Sequence, residues 1–388
     1  MLSRRKFLRH TLPGLPLLLA APSLLSTSAK LLMAAEAPTS LNTTCFARGL
    51  WLLSASDNPS GQHFITATSM VSDEFFAFPV AQRAHDSCIS RCGHVLFSAR
   101  RPGTESYLLE FSSEKPALRS FYAKADRHFY GHGCFSADGQ LLYMTENDFR
   151  NDRGLVGVYR VSTLEKEAEF ETAGIGPHQL KWLPDGKTLV VANGGILTRP
   201  ASGRKKLNLD SLQSSLVYLD ASTGKIKQQV VCERRGMSLR HLDVSRDGKV
   251  FVSTQYQLQE ESEKPELFFW HQPGQSGLGQ FDAEAWQWSL HHGYIASVAV
   301  NDSADKVMLT SPRGNLASLW DIHTKKLITT LDITDVAGVV YNSDSAAFVL
   351  SSGMGKMYSY QPDSHKMSVL TTMNDFLWDN HLSIARFS

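Results

Sequence analysis

The sequence predicts an all-β fold, a seven-bladed β-propeller, on three observations. One unit recurs along the chain: a short apolar strand, an x-D-G turn, a second apolar strand, a polar loop and two further strands. Its strands alternate with period two and are rich in Val, Leu, Tyr and Phe, with Asp-Gly as the hairpin turn. Beyond the leader, no ten-residue window carries a helical stripe. With 388 residues, 42% hydrophobic and 20% charged, the chain can bury a core and is neither collagen-like nor linker-dominated.

The N-terminus reads as an address. Ser3-Arg4-Arg5-Lys6-Phe7-Leu8-Arg9 precedes an apolar stretch over 11–25 that carries Pro13, Pro16 and Pro22. A basic start, a short apolar run and small residues beyond make an export signal, too short to span a bilayer well. The pattern S-R-R-x-F-L-R resembles the twin-arginine signal, which exports folded proteins. We therefore expect a leader over 1–37, cleaved after Ala29 or Ala37. The mature domain, 45–388, is expected to be a soluble periplasmic monomer with no membrane span. The whole chain has 39 Lys+Arg against 38 Asp+Glu, and without the first 37 residues 34 basic face 37 acidic. Such a balance gives no global attraction to nucleic acid or an anionic membrane.

The five cysteines, Cys45, Cys88, Cys92, Cys134 and Cys232, are an odd set. In an oxidising compartment one at least stays unpaired or bridges elsewhere. C-x3-C at Cys88 and Cys92 lacks zinc or thioredoxin spacing, and Cys45 sits in a poor lipidation context.

The first strands expected after the leader lie at 50–56, 63–69 and 75–82. The clearest repeats follow as HGCFSADGQLLYMTEN from His132, HQLKWLPDGKTLVVAN from His178 and HLDVSRDGKVFVSTQ from His241. Fainter copies are HDSCISRCGHVLFSAR from His85, SVAVNDSADKVMLTS from Ser297 and GVVYNSDSAAFVLSS from Gly338. The chain closes with HLSIARF from His381, a first strand without successors. These anchors are separated by 47, 46, 63, 56, 41 and 43 residues, a blade-like period with loop insertions. In the His178 unit, 187–193, 215–221 and 226–232 read as its second, third and fourth strands. The His381 strand needs three partners, and the N-terminal strands supply them, so one blade is stitched from both ends. Two separate β-domains would need a linker that the sequence lacks.

In a propeller the first strand of each blade lines the central channel. The seven anchors then place His85, His132, His178, His241, Ser297, Gly338 and His381 around the channel mouth. Five of seven are histidine in a chain with 14. Imidazole is the commonest ligand for Zn, Cu, Fe and Ni, and convergent histidines on a rigid ring suit a transition metal. The competing reading is a water-filled polar channel, or histidines that cap strand ends as in WD repeats. Second-strand exits add Arg100, Asn193 and Gln255 as polar residues of the mouth, and Glu146 as a carboxylate completing a sphere suited to iron. Arg101, Asp148 and Arg313 read as solvated loop residues. The loop 194–213, with Arg199, Arg204, Lys205 and Lys206, is a mobile solvated segment or one that steers an anion or acidic partner. The loop 258–266, with Glu260, Glu261, Glu263 and Glu266, is equally ambiguous. No G-x-S-x-G, H-E-x-x-H, phosphate loop, dinucleotide fingerprint or C-x-x-C-H occurs.

The leader S-R-R-K-F-L-R, with G-H-G-C-F-S-A-D-G, G-P-H-Q-L-K-W-L-P-D-G and R-H-L-D-V-S-R-D-G, resembles domain-of-unknown-function family 1513 over essentially the whole mature chain. The resemblance implies a twin-arginine-exported propeller from a Gram-negative bacterium, encoded beside imelysin-type and di-haem periplasmic proteins linked to iron acquisition. It carries over no catalytic residue. The expected function is thus a histidine-lined propeller that binds iron or copper in metal uptake, with periplasmic iron-uptake proteins as partners. The alternatives are a metal-free interaction scaffold and a metal-dependent, lactonase-like hydrolase.

Overall fold

Each repeat folds as an antiparallel sheet because its turn chemistry and its alternation agree. In the His178 unit, Asp185 Oδ1 accepts the backbone N–H of Lys187 and of Thr188, both at 2.8 Å. Gly186 supplies the left-handed residue of the hairpin at φ +63°. Two of the three fainter units make the same turn with alanine, Ala304 at φ +55° and Ala346 at φ +47°, and the His85 unit makes it with Gly93 at φ +85°. The alanines are why the sequence signature of those two units is weaker.

The computed structural model describes residues 49–110, 116–258 and 265–387. Six four-stranded sheets start from the strands Ala84–Ile89, Arg127–Phe135, Pro177–Trp182, Met237–Val244, Ser297–Val300 and Val336–Asn342. A seventh sheet joins Gly49–Asp57, His63–Ser69 and Phe75–Val80 to the chain's last strands. Leu377–Trp378 and Ser383–Phe387 both pair with Gly49–Asp57. The protein is a seven-bladed β-propeller with one blade stitched from both ends, as expected. In the His178 blade the later strands are Thr188–Asn193, Ser215–Asp220 and Ile226–Val231. One short helix, Ala285–Ser289, sits between the His241 blade and the next, an element the strand pattern did not announce.

Burial is greatest in the second strands and falls towards the outer edge of each blade. Thr188–Asn193 is buried throughout, Lys166–Glu171 alternates between half-buried and exposed, and Lys366–Thr372 is almost wholly exposed. The charges on Lys166–Glu171 leave that blade edge unattractive to foreign strands, whereas Lys366–Thr372 exposes Met367, Val369 and Leu370. The core lies between blades: Val190, Leu216 and Tyr218 pack with Phe251 and Phe268 of the next blade, and with Val307 and Trp320 beyond. Each blade buries its apolar faces only against neighbours, so closing the ring is what completes the core.

Among the described residues, no helix is long and apolar enough to cross a membrane. The expected leader, Cys45, Glu260, Glu261 and Glu263 lie outside the described residues.

A buried histidine cluster as candidate metal centre

The hub histidines occupy a position that pairing alone does not reveal. In Ala84–Ile89 the ladder passes from Ala84 to Asp86 and skips His85. In Pro177–Trp182 it passes from Pro177 to Gln179 and skips His178. The break from Phe129 to Gly133 contains His132, and that from Leu239 to Leu242 contains Arg240 and His241. His381 lies in the gap between the two C-terminal strands. A β-bulge takes one residue out of the ladder and re-aims its side chain. Here the bulges re-aim four imidazoles, and the gap between the C-terminal strands places the fifth beside them. In the Val336–Asn342 strand the skipped residue is Ala337, so Ala337 rather than Gly338 stands where five of the other blades carry histidine.

The five rings form one cluster. Ligand atoms of His85, His132, His178 and His241 all lie within 4.8 Å of one another. His178 Nε2 and His241 Nε2 are 2.9 Å apart. The His381 ring centroid lies 4.5 Å from that of His241, 4.6 Å from His85 and 4.7 Å from His132. The cluster is deeper than expected: instead of ringing an open mouth, all five side chains are buried. Backbone makes room for it, since a Cβ on Gly131, at φ +118°, would stand 2.6 Å from His85 Cδ2.

Neighbouring groups set the tautomers. His132 Nδ1 lies 2.7 Å from Asp86 Oδ2. The carboxylate accepts that N–H and leaves the Nε2 lone pair turned inward. Ser297 Oγ donates to the Asn380 carbonyl at 2.9 Å and faces His381 Nδ1 at 2.9 Å, so it accepts the ring N–H. Nε2 of both His132 and His381 is buried with no hydrogen-bond partner, as is Nδ1 of His241. Asp379 Oδ1 sits 3.5 Å from His85 Nδ1. Outside the cluster His128 Nε2 is likewise buried without a partner, whereas two other buried histidines contrast with these. His271 is engaged by Tyr218 and the Gln275 carbonyl, and His291 by Ser318 and the Gln287 carbonyl. Orphaned imidazole nitrogens in a buried site are costly unless something occupies them.

Electrostatics keeps the rings neutral. Burial pushes His85 down to about 4 despite Asp379, and His132 down to about 3. Burial holds His178, His241 and His381 well below the ordinary value, with Arg240 adding to it for His178 and His241. Burial opposes the charge on Asp379, but Arg100 and Arg83 outweigh it and keep the carboxyl well below its usual range. At neutral pH the lone pairs are free of protons, the state a metal requires.

The other expected residues divide. Glu146 is not part of the cluster. Tyr159 donates to its Oε1 at 2.6 Å and Lys166 Nζ lies 2.7 Å from its Oε2, so it is spent in a buried ion pair facing the outer strands. The donor set is therefore all-nitrogen, with carboxylates only behind it. Asn193 bridges the Thr172 carbonyl and Ser215 Oγ and stays within the sheets. Arg100 stands 3.8 Å from Asp379, and Gln255 accepts from Arg240 at 3.2 Å, so both back the cluster. Two residues read as solvated are not: Arg101 is buried against Tyr130, and Asp148 is buried between Arg127 and Arg153. Asp86, Asp379 and Arg240 were missed, although each lies within two positions of a hub histidine in the sequence. A pocket of about 430 Å³ reaches the cluster from the far end of the hub strands, with Asp86, Lys181, Asp243, His241 and His381 in its wall.

The sequence profile described as "Protein of unknown function (DUF1513)" matches residues 78–385. The chain belongs to this family. The match holds the six repeats and the five hub histidines. A comparison with curated proteins finds no match. Among solved structures, hydrazine synthase of Kuenenia stuttgartiensis is similar with a TM-score of 0.57 at 14% identity, covering 83% of this chain and 95% of that one. That likeness is one of fold alone.

Proposed function

We propose that this family member holds a transition metal ion in the hub cluster and serves metal uptake or handling in the periplasm. The observation that carries the reading is the buried pair of Nε2 atoms on His132 and His381, each oriented by a partner on Nδ1 and each left without one of its own. A ligating histidine commonly shows this arrangement, its second nitrogen held by a carboxylate or other acceptor. His85, His178 and His241 would complete the sphere. When bound, the metal supplies a fixed positive centre that neutral imidazoles can hold without an inner carboxylate. With Glu146 removed from the sphere, the feature that favoured iron is gone. For an all-imidazole set the ordering of divalent affinities puts copper ahead of iron.

Export fits the leader at Ser3–Arg9, because the twin-arginine route carries proteins already folded around their metal. The periplasmic location and iron-acquisition partners implied by the family belong to this same reading. A scaffold role would not call for buried, unpartnered imidazoles. A hydrolase would need a general acid or base at the cluster, and Glu146 does not provide it. The test is metal analysis of protein matured through its own export route. One metal per chain, lost in His132→Ala and His178→Ala, is expected; substoichiometric metal unchanged by both substitutions rejects the reading.

A further inference from the structure

The end of the hub opposite the 430 Å³ pocket carries the second feature that demands a partner. Arg240 shares the bulge with His241 and is 5% exposed. Its guanidinium meets only uncharged groups, Gln255 Oε1 at 3.2 Å and His178 Nδ1 at 3.4 Å, while its Nε is buried with no hydrogen bond. Among the described residues no carboxylate pairs with it. The charges it does feel are further cations, Arg101 and Arg204. Arg101, 8% exposed, donates to the Tyr130 hydroxyl at 2.7 Å. Lys206, half-buried in the loop 194–213, interacts with Arg240, Arg313, Arg101 and Arg204 together. Tyr294 faces the same space: its hydroxyl accepts from Asn380 at 2.9 Å and keeps its proton to donate.

Like charges gathered at the end of a channel are a stability cost, and Arg240, a buried cation with no carboxylate beside it among the described residues, adds to it. A planar guanidinium fork is matched to two oxygens of a carboxylate or phosphate. We infer that this mouth is a binding site for a small oxyanion, seated on Arg240 and Arg101 and closed over by Lys206, next to the His178 edge of the cluster. The inference does not depend on the metal: the anion answers to the arginines and the metal to the imidazoles. It also changes the reading of the loop 194–213, whose Lys206 is a wall of the site instead of a solvated charge.

The test uses chelator-treated full-length mature protein and calorimetric titration with inorganic phosphate and, separately, with citrate, in buffers free of other polyvalent anions. Saturable one-to-one binding of either is expected, and which one binds more tightly separates phosphate from polycarboxylate as the source. Arg240→Gln, Arg101→Gln and Lys206→Gln should each weaken it, Arg240→Gln by about tenfold or more. His132→Ala, which removes a metal ligand and touches no arginine, should leave it unchanged. Arg240→Met should abolish binding while raising the melting temperature of the anion-free protein, because it removes an unpaired buried charge. Should Arg240 variants fail to fold, the half-exposed Lys206→Gln decides on its own. Absence of saturable binding for both anions overturns the inference, as does wild-type affinity in all the arginine and lysine variants. Loss of metal binding in His132→Ala with anion binding intact, or the reverse, shows that the two sites stand or fall separately.

Discussion

Acid should dismantle the metal-free protein through the hub before it touches the rest of the fold. In the unfolded chain an imidazole titrates near 6.5, whereas burial sets His85 at about 4 and His132 at about 3. Between those values the unfolded chain carries a proton that the folded chain refuses. Stability is therefore fully present above about pH 6.5 and falls as the pH drops towards the folded values, by about 1.4 kcal/mol per pH unit per ring. From pH 7 to pH 5 each of these two rings costs about 2 kcal/mol, or about 4 kcal/mol together. His178, His241 and His381 shift the same way and add to the loss. Domains are commonly stable by about 5–15 kcal/mol, so this is a large fraction. The assay is denaturant unfolding of chelator-treated protein at both pH values, wild type against His85→Gln/His132→Gln. The double variant should lose about 4 kcal/mol less between pH 7 and pH 5. An equal loss in both proteins would refute the argument that these rings are held neutral by burial.

Three further outcomes follow from single contacts. Asp86→Asn removes the charge that orients His132 and should weaken metal binding by about 10–100-fold, read by calorimetry, with melting little changed. Glu146→Ala leaves the buried Lys166 Nζ with Glu169 as its remaining carboxylate and takes the acceptor from the Tyr159 hydroxyl, and should cost about 1–3 kcal/mol in denaturant unfolding while leaving metal stoichiometry intact. Ala304→Gly relieves a left-handed alanine at φ +55° in a hairpin turn and should stabilise the protein by about 0.5–1 kcal/mol, seen as a higher melting temperature.

The ring was legible because its causes are local and repeated. Asp-Gly turns at Asp138-Gly139, Asp185-Gly186 and Asp247-Gly248 punctuate alternating strands, and the lone final strand at His381 required partners from the other terminus. His132, His178 and His241 were legible for the same reason, each lying one strand ahead of such a turn, while His85 precedes a turn at Gly93 and His381 opens the unpartnered final strand. Depth was not, because the skipped ladder positions at His85, His132, His178 and His241 depend on bulges, which no turn residue or period announces. The same blindness misaligned Gly338 with the histidines when Ala337 holds that place. Glu146 was misplaced because a strand end tells which blade a side chain belongs to and not which neighbour claims it; Lys166 and Tyr159 approach from strands that are 13–20 residues further on. Arg240 carries its meaning only through what is missing around it, a property of three-dimensional packing.

The cage itself is tested most directly by X-ray absorption at the edge of whichever metal the exported protein retains. A first shell of nitrogen alone, with the outer-shell scattering of four or five imidazole rings, is the expected spectrum. A shell dominated by oxygen or sulfur, or one that persists unchanged in His132→Ala/His178→Ala, would contradict the histidine hub as the place where metal is held.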